Sequence, residues 1–388
     1  MNNTYFLRNK NIDCFAFDYD ENENKFSNFV KLEGFNFLPP ILKNSDLEQF
    51  HKYLLFNRMI PISRPNFQNI FSKKIYLEKL FQTNYSLNLD DTLWIISKEN
   101  SNLKWEDINF FSNFKNLYSN EILSDSKKVK FYNNTLGKSP DFFTNGELQK
   151  TWIKRDNEII LLKSNSRFST NIPLNEIYAE FFANQIGKLF FNEILDYDIN
   201  IYNDVLVNEC KIFTNQETSY LPFSQIFNNK DNNIENFIKN ISNLYGKDDL
   251  DDLMVFDALI LNIDRHLGNF GLLVNSKTYQ KIKNAPIFDN GKSLIYDFNI
   301  YKGSIGKNYI KNYAKHASKF YNSFDYQLFE HVQKRHITWI EKLEKFSLKN
   351  HAKFPCDKLY FKCVKNLISN RVKAFKIIYE NKAKENNW

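Results

Sequence analysis

The stretch FDALILNIDRHLGNFG (Phe256–Gly271), followed after a short gap by APIFDNGKS (Ala285–Ser293), decides how the rest of the chain is read. The run Leu253–Ile263 is apolar and helix-compatible, and it delivers Asp264 into a turn with Asn269 five positions on. The second string sets Asp289 between the apolar segment Ala285–Phe288 and a glycine-containing turn. Phosphoryl transfer from ATP calls for such a set. One carboxylate orients and deprotonates the attacking hydroxyl, while an amide and a second carboxylate hold Mg2+ on the phosphates. The competing reading, a helix-end turn and then a hairpin turn, asks no chemistry of either string. Their order, with room for strands between them, favours the chemical reading.

Asp-x4-Asn is the catalytic-loop spacing of protein kinases, and Asp-Asn-Gly can stand where their metal-binding Asp-Phe-Gly does. On these residues the segment resembles the catalytic core of HipA-like serine/threonine protein kinases, a bacterial family with a divergent kinase fold. The resemblance implies that Asp264 is the catalytic aspartate and that Asn269 and Asp289 are metal ligands. It also implies an α+β class and a divergent bilobal protein-kinase-like fold: a β-rich N-lobe, a mostly helical C-lobe and an extra N-terminal α+β domain. The expected divisions are 1–125, 126–213 and 214–388. The resemblance is specific over about 135–295. It is looser over NRMIPISRP (Asn57–Pro65) and WEDINFFSNF (Trp105–Phe114), which resemble the N-terminal region of one subgroup.

Upstream, short alternating runs at Tyr5–Leu7, Cys14–Phe17 and Phe29–Leu32 predict a small antiparallel sheet. Helices are expected at Asp46–Asn57, Ser72–Phe81 and Trp105–Phe111, and Trp94 and Trp105 read as core. The turn-rich Ser139–Gly146 precedes two strand-like runs, Leu148–Lys154 and Glu158–Lys163. A loop over phosphates needs small residues and free backbone N–H groups. Only Gly146 is a glycine here, but Gly146 to Lys150 fits the Gly-x-x-x-Lys that the resemblance places in this loop. With Thr144 these residues are candidates for binding ATP. Ser139 and Thr144 are candidates for autophosphorylation, which the resemblance suggests although the serine of the better-known pattern would fall on Phe143.

Lys163 ends an apolar strand, where its ammonium can reach phosphates. Asn171–Pro173 is expected to open a helix with proline in its first turn. Glu176 and Glu180 lie one turn apart on that helix and either could pair with Lys163; the resemblance favours Glu176. Strands follow at Asp198–Tyr202, Asp204–Val207 and Asn208–Phe213, and a hinge at Cys210–Thr214 would offer its backbone to adenine. Beyond it the expected helices are Asn233–Tyr245, Lys247–Ile263, Tyr326–Phe346 and Asp357–Asn381. The cluster Asp248–Asp252 reads as a complement to a helix dipole. Leu272–Val274 and Ala285–Phe288 read as a strand pair. Gly303–Lys307 lacks the spacing of a phosphate-binding Walker sequence.

The 388 residues suffice for two or three domains, and 43% apolar with 25% charged residues is ordinary for a globular chain. A net charge of +7 spread over many lysines reads as a solvated surface. Cys14, Cys210, Cys356 and Cys363 form no CxxC, and the histidines have no zinc spacing, so reduced thiols and a cytoplasmic location are expected. Neither a signal sequence nor an apolar run long enough to span a membrane is seen. The expectation is therefore a kinase using ATP and Mg2+ on a protein substrate. The resemblance adds an antitoxin partner with a helix-turn-helix, with neither direct nucleic-acid contact nor membrane. A small-molecule or lipid kinase, and a silent binding module, are the competing readings.

Overall fold

The first sheet has the order β3-β2-β1-β4. Its strands are β1 (Asn3–Asn9), β2 (Ile12–Asp20), β3 (Lys25–Lys31) and β4 (Leu93–Ser97), all antiparallel. The computed structural model describes residues 3–20, 22–23, 25–43, 46–58, 77–123, 137–144, 146, 148–168, 172–227, 234–301, 313 and 315–388. The sequence expectations at Pro61–Pro65, at the division after residue 125, at Asn145, at Asn171 and at Gly303–Lys307 lie outside those residues. Alternation puts Tyr5, Leu7, Phe15 and Phe17 on one buried face, against Phe50 and Leu54 of the Leu47–Asn57 helix, which Asp46 caps. Trp94 and Trp105 are both core, as expected, but the helix at Trp105 stops at Ile108.

A second sheet has the order β5-β6-β10-β9, with β5 (Lys150–Arg155), β6 (Glu158–Lys163), β9 (Asp198–Tyr202) and β10 (Val205–Lys211). The β5–β6 turn is Asp156–Asn157, both left-handed at φ 50° and 65°, as a tight hairpin requires. The two strands expected over 204–213 are the single strand β10. Ile172–Pro173 forms β8, a two-residue bridge to β7 (Arg167–Phe168), so Pro173 lies outside the helix expected to contain it. That helix runs Glu176–Gly187 behind Asn175.

The third sheet, β11 (Thr218–Pro222), β12 (Gly271–Asn275) and β13 (Lys281–Asn284), carries the segment between the two motifs. Ala285–Phe288 is not the partner strand expected; Ile287 makes only an isolated parallel bridge to Ile194. Around this sheet pack the helices Ile234–Tyr245, Lys247–Ile260, Phe324–His331, Ile337–Lys345 and Lys358–Asn386. The helix expected over Tyr326–Phe346 is broken because Val332 is extended and a 3-10 turn intervenes at Lys334–His336. That break lets His331 meet Asp251 (2.8 Å) and His336 meet Asp252 (2.9 Å), so the acidic cluster is a docking face as well as a helix start.

The first sheet and the turn leading into β4 meet the rest at the β10–β11 link, at β11 and just beyond β12. Thr214 Oγ1 donates to Leu89 O (2.5 Å), Tyr220 N to Asp90 O (2.8 Å), and Asn9 Nδ2 to Ser276 O (2.8 Å). No helix among the described residues is long and apolar enough to cross a membrane. The architecture is mixed α and β.

Candidate active site

The Lys247–Ile260 helix stops because Leu261 turns left-handed (φ 55°), and the chain then folds back on its own helix end. Asn262 N donates to Asp257 O (3.0 Å), and Asp264 N donates to Asn262 Oδ1 (3.0 Å). Asn269 closes the loop by donating Nδ2 to Asp264 O (3.0 Å). Asp264 and Asn269, picked from spacing, are thus joined within one braced turn.

Arg265, between them, was not singled out from sequence, and it holds the site together. It is buried, and all five of its N–H donors are engaged. Nε and Nη2 form a two-pronged pair with Asp257 (2.9 and 3.0 Å). Nη1 reaches Asn269 O (2.9 Å) and Phe288 O (2.7 Å), and Nη2 also reaches Asn290 Oδ1 (2.5 Å). A planar guanidinium suits such converging acceptors better than an ammonium. One side chain therefore binds the end of the helix, the loop with Asp264, and the Asp-Asn-Gly turn. The available signal was Asp257, an acid within an apolar helix.

In the second motif Asp289 is left-handed (φ 59°), an uncommon conformation for a residue with a Cβ and one that concentrates at functional sites. Its Oδ1 accepts from Lys163 Nζ at 3.0 Å. Gly291 allows the turn to press on the Glu176–Gly187 helix, since a Cβ there would lie 3.2 Å from Glu176 Cβ and 3.4 Å from Glu180 Oε2.

Lys163 and Lys150 are directly opposed across the β6–β5 ladder and both are buried. Like charges placed so are destabilising unless an anion sits between or before them. Asp289 answers that need. Burial alone would raise its pKa, yet Lys163, then Lys150, and the direct bond from Lys163 hold it well below the usual carboxylate range. Burial works against the charge of Lys163 too, and Asp289 and Glu180 overcome it to raise that ammonium's pKa. Lys150 curls beneath Gly146 (φ 97°), where a Cβ would stand 2.5 Å from its Nζ, so Gly-x-x-x-Lys is a closed unit.

Among the described residues Lys163 pairs directly with Asp289 and with neither glutamate. Glu180, not Glu176, shares the field of Lys163 and Asp289, and its Oε1 accepts from Asn290 N (2.8 Å). Glu176 accepts instead from Ser166 Oγ. Burial pushes Glu180 up from 4.5 to about 7, with Lys163 opposing. The folded chain thus keeps a proton there between about pH 4.5 and 7 that the unfolded chain releases, and stability falls as pH rises through that window. Glu180→Gln is expected to flatten that fall, measured as melting temperature against pH. An unchanged slope would remove Glu180 from the account.

Ser139 is fully buried; its hydroxyl donates to Asn116 Oδ1 (2.9 Å) and accepts from Asp141 N (3.1 Å), so it caps the 3-10 turn that follows. Thr144 Oγ1 donates to Pro140 O (3.0 Å) and accepts from Trp152 Nε1 (2.9 Å). In this conformation neither candidate phosphoacceptor presents its hydroxyl, and Thr144 serves to brace the loop. His266 accepts from Gly268 N on Nδ1 (3.0 Å), with its pKa lowered by burial, which fits a structural part. At the segment expected to be a hinge, Ile212 N is already given to Ile159 O (3.0 Å).

No family model matches the chain. Among curated proteins it is 30% identical over 158 residues to the Serine/threonine-protein kinase CtkA of Helicobacter pylori (strain J99 / ATCC 700824), covering 36% of this chain and 48% of that one. The chain thus spans about half the length of the curated relative it matches. Among solved structures, the Helicobacter pylori proinflammatory kinase CtkA aligns over 61% of this chain and 95% of its own at 16% identity and a TM-score of 0.46. The HipA of Shewanella oneidensis MR-1, solved in a complex with HipB and operator DNA, aligns over 96% of each chain at 10% identity and a TM-score of 0.49. Over those 158 residues the chain is similar in sequence to a serine/threonine-protein kinase.

Proposed function

We propose that the chain is a protein kinase that transfers the γ-phosphoryl group of ATP to a serine or threonine hydroxyl, with Mg2+ as cofactor. The observation that carries this is the pair of opposed, buried lysines, Lys150 and Lys163, facing Asp289. In this reading the lysines hold the phosphates under the Gly146 loop, and Glu180 orients Lys163. Asp264, steadied by Asn269, accepts the proton of the attacking hydroxyl. The second sheet and its helix act as an N-lobe (126–213) and the helical part as a C-lobe (214–388), with 1–125 appended.

The residues present fit Mg2+. Asp289 offers a carboxylate, and Asn269, whose Nδ2 is given to Asp264 O, offers its amide oxygen. Mg2+ takes one or two carboxylates from a protein and the rest of its shell from phosphates and water, a demand that such a pair can meet. When bound, Mg2+ would neutralise charge on the phosphates.

Incubation with γ-labelled ATP, Mg2+ and a mixture of proteins should label protein at serine or threonine, and ATP with Mg2+ should raise the melting temperature. Label passing only to small molecules would replace this reading with a metabolite kinase. No transfer and no thermal shift would end it. Resemblance to HipA-like proteins further suggests a toxin paired with a DNA-binding antitoxin and a cytoplasmic location. Co-purification with the product of an adjacent gene tests the pairing.

A further inference from the structure

Transfer of a phosphoryl group develops charge on its outer oxygens, and fixed cations beside them lower the barrier. From Asp264 to Asn269 the loop supplies no such cation. Arg265 has every donor engaged in buried contacts, and the ring of His266 is folded onto Gly268 N. Lys163 is held by Asp289.

Two ammoniums nevertheless reach Asp264 from outside its loop. Lys292 Nζ lies 3.0 Å from Oδ2, and Lys319 Nζ lies 3.4 Å from Oδ1. The fold fixes where Lys292 starts. Ile263 N donates to Lys292 O (3.1 Å) and Leu294 N to Ile260 O (2.9 Å), so the chain beyond the Asp-Asn-Gly turn is stitched to the loop carrying Asp264. Ser293 Oγ donates to Asn290 O (2.6 Å) and tightens the same turn. The side chain of Lys292 lies within the field of Glu176, whose Oε2 is buried with no hydrogen-bond partner among the described residues.

As a stabilising contact the Lys292–Asp264 pair has little to offer. Lys292 is 34% and Asp264 21% exposed, and an ion pair in reach of water adds little to stability. Its position matters more, because the group receiving the hydroxyl's proton stands beside the phosphoryl group under attack.

We propose that Lys292 is a further catalytic residue, its ammonium bearing the charge of the transferred phosphoryl group next to Asp264. The inference rests on the kinase reading. The acceptor oxygen forms its bond to the γ-phosphorus as the bond from that phosphorus to the β–γ bridging oxygen breaks. The electron pair leaves with ADP, the hydroxyl proton passes to Asp264, and Lys292 remains protonated throughout. Lys319 lies farther from Asp264, at 3.4 Å, and is 47% exposed.

The test compares the wild-type chain, Lys292→Gln, Lys292→Arg and Lys319→Ala in labelled-phosphate transfer, with ATP affinity and melting temperature measured for each. Lys292→Gln should lower kcat by about 10²–10³-fold, the cost of removing one donor to developing charge, with ATP affinity within about threefold of wild type. Lys292→Arg should recover part of the loss, and Lys319→Ala should stay within about tenfold. A kcat for Lys292→Gln within about threefold of wild type would overturn the proposal, as would a loss matched by lost ATP affinity. Should Lys292→Gln be unfolded, Lys292→Met decides alone: a folded chain with kcat lowered at least about tenfold and ATP affinity held supports the role, and a kcat within about threefold of wild type overturns it. A wild-type chain that transfers no phosphate would instead refute the kinase reading itself.

Discussion

Asp264→Ala is expected to lower phosphate transfer by about 10²–10⁴-fold, the range for removing a positioned general base. The fold should survive it. Among the described residues the side chain of Asp264 pairs with Lys292 and Lys319 alone, whereas the loop is braced through its backbone, with Asp264 O accepting from Asn269 Nδ2 and from His266 N. Melting temperature should therefore change little, and ATP affinity should hold or rise, since a negative charge near the phosphates is lost. Transfer within tenfold of wild type would show that another group takes the proton.

The second large effect should come from a residue that touches no substrate. Arg265→Leu removes one partner of a buried ion pair and leaves Asp257 without its counter-charge, along with three stranded acceptors: Asn269 O, Phe288 O and Asn290 Oδ1. Breaking a buried pair from one side costs about 3–5 kcal/mol. Single-domain stabilities are about 5–15 kcal/mol, so that loss is a large share of the total. The expected result is a strongly lowered denaturant midpoint or an insoluble chain. Arg265→Lys should be only partly better, because an ammonium cannot meet converging planar acceptors in the same way. A midpoint unchanged by Arg265→Leu would contradict the geometry described.

How far the sequence could be read follows from where each constraint lies. The β5–β6 hairpin was legible because its two strand-like runs are close neighbours in the chain, separated by the two-residue turn Asp156–Asn157. Asp264, Asn269 and Asp289 could be singled out because their motif spacing is local, and the fold joins the first two in one turn and sets the third against Lys163. β4 went unassigned: its run LWIIS is short and apolar, and it is a strand only by pairing with β1, far away in sequence. Arg265 was passed over because an arginine in a turn ordinarily faces water. Its burial arises only when the Asp257 helix and the Asp289 turn come together. Glu176 was favoured by resemblance, and the residues alone left Glu176 and Glu180 open for a related reason. Pro173 was placed in the first turn of a helix that starts only at Glu176, so the face turned toward Lys163 could not be fixed from the sequence.

The bonds from Thr214 and Tyr220 to the carbonyls of Leu89 and Asp90 give the first sheet a mechanical part. They grip the chain within the link that joins the lysine-bearing sheet to the helices and in the strand that follows it. Any pivoting about that link must drag the amino-terminal sheet with it or snap those two tethers. That sheet is then ballast on the joint, and a load hung on its outer strands would be felt where the lysines meet Asp289.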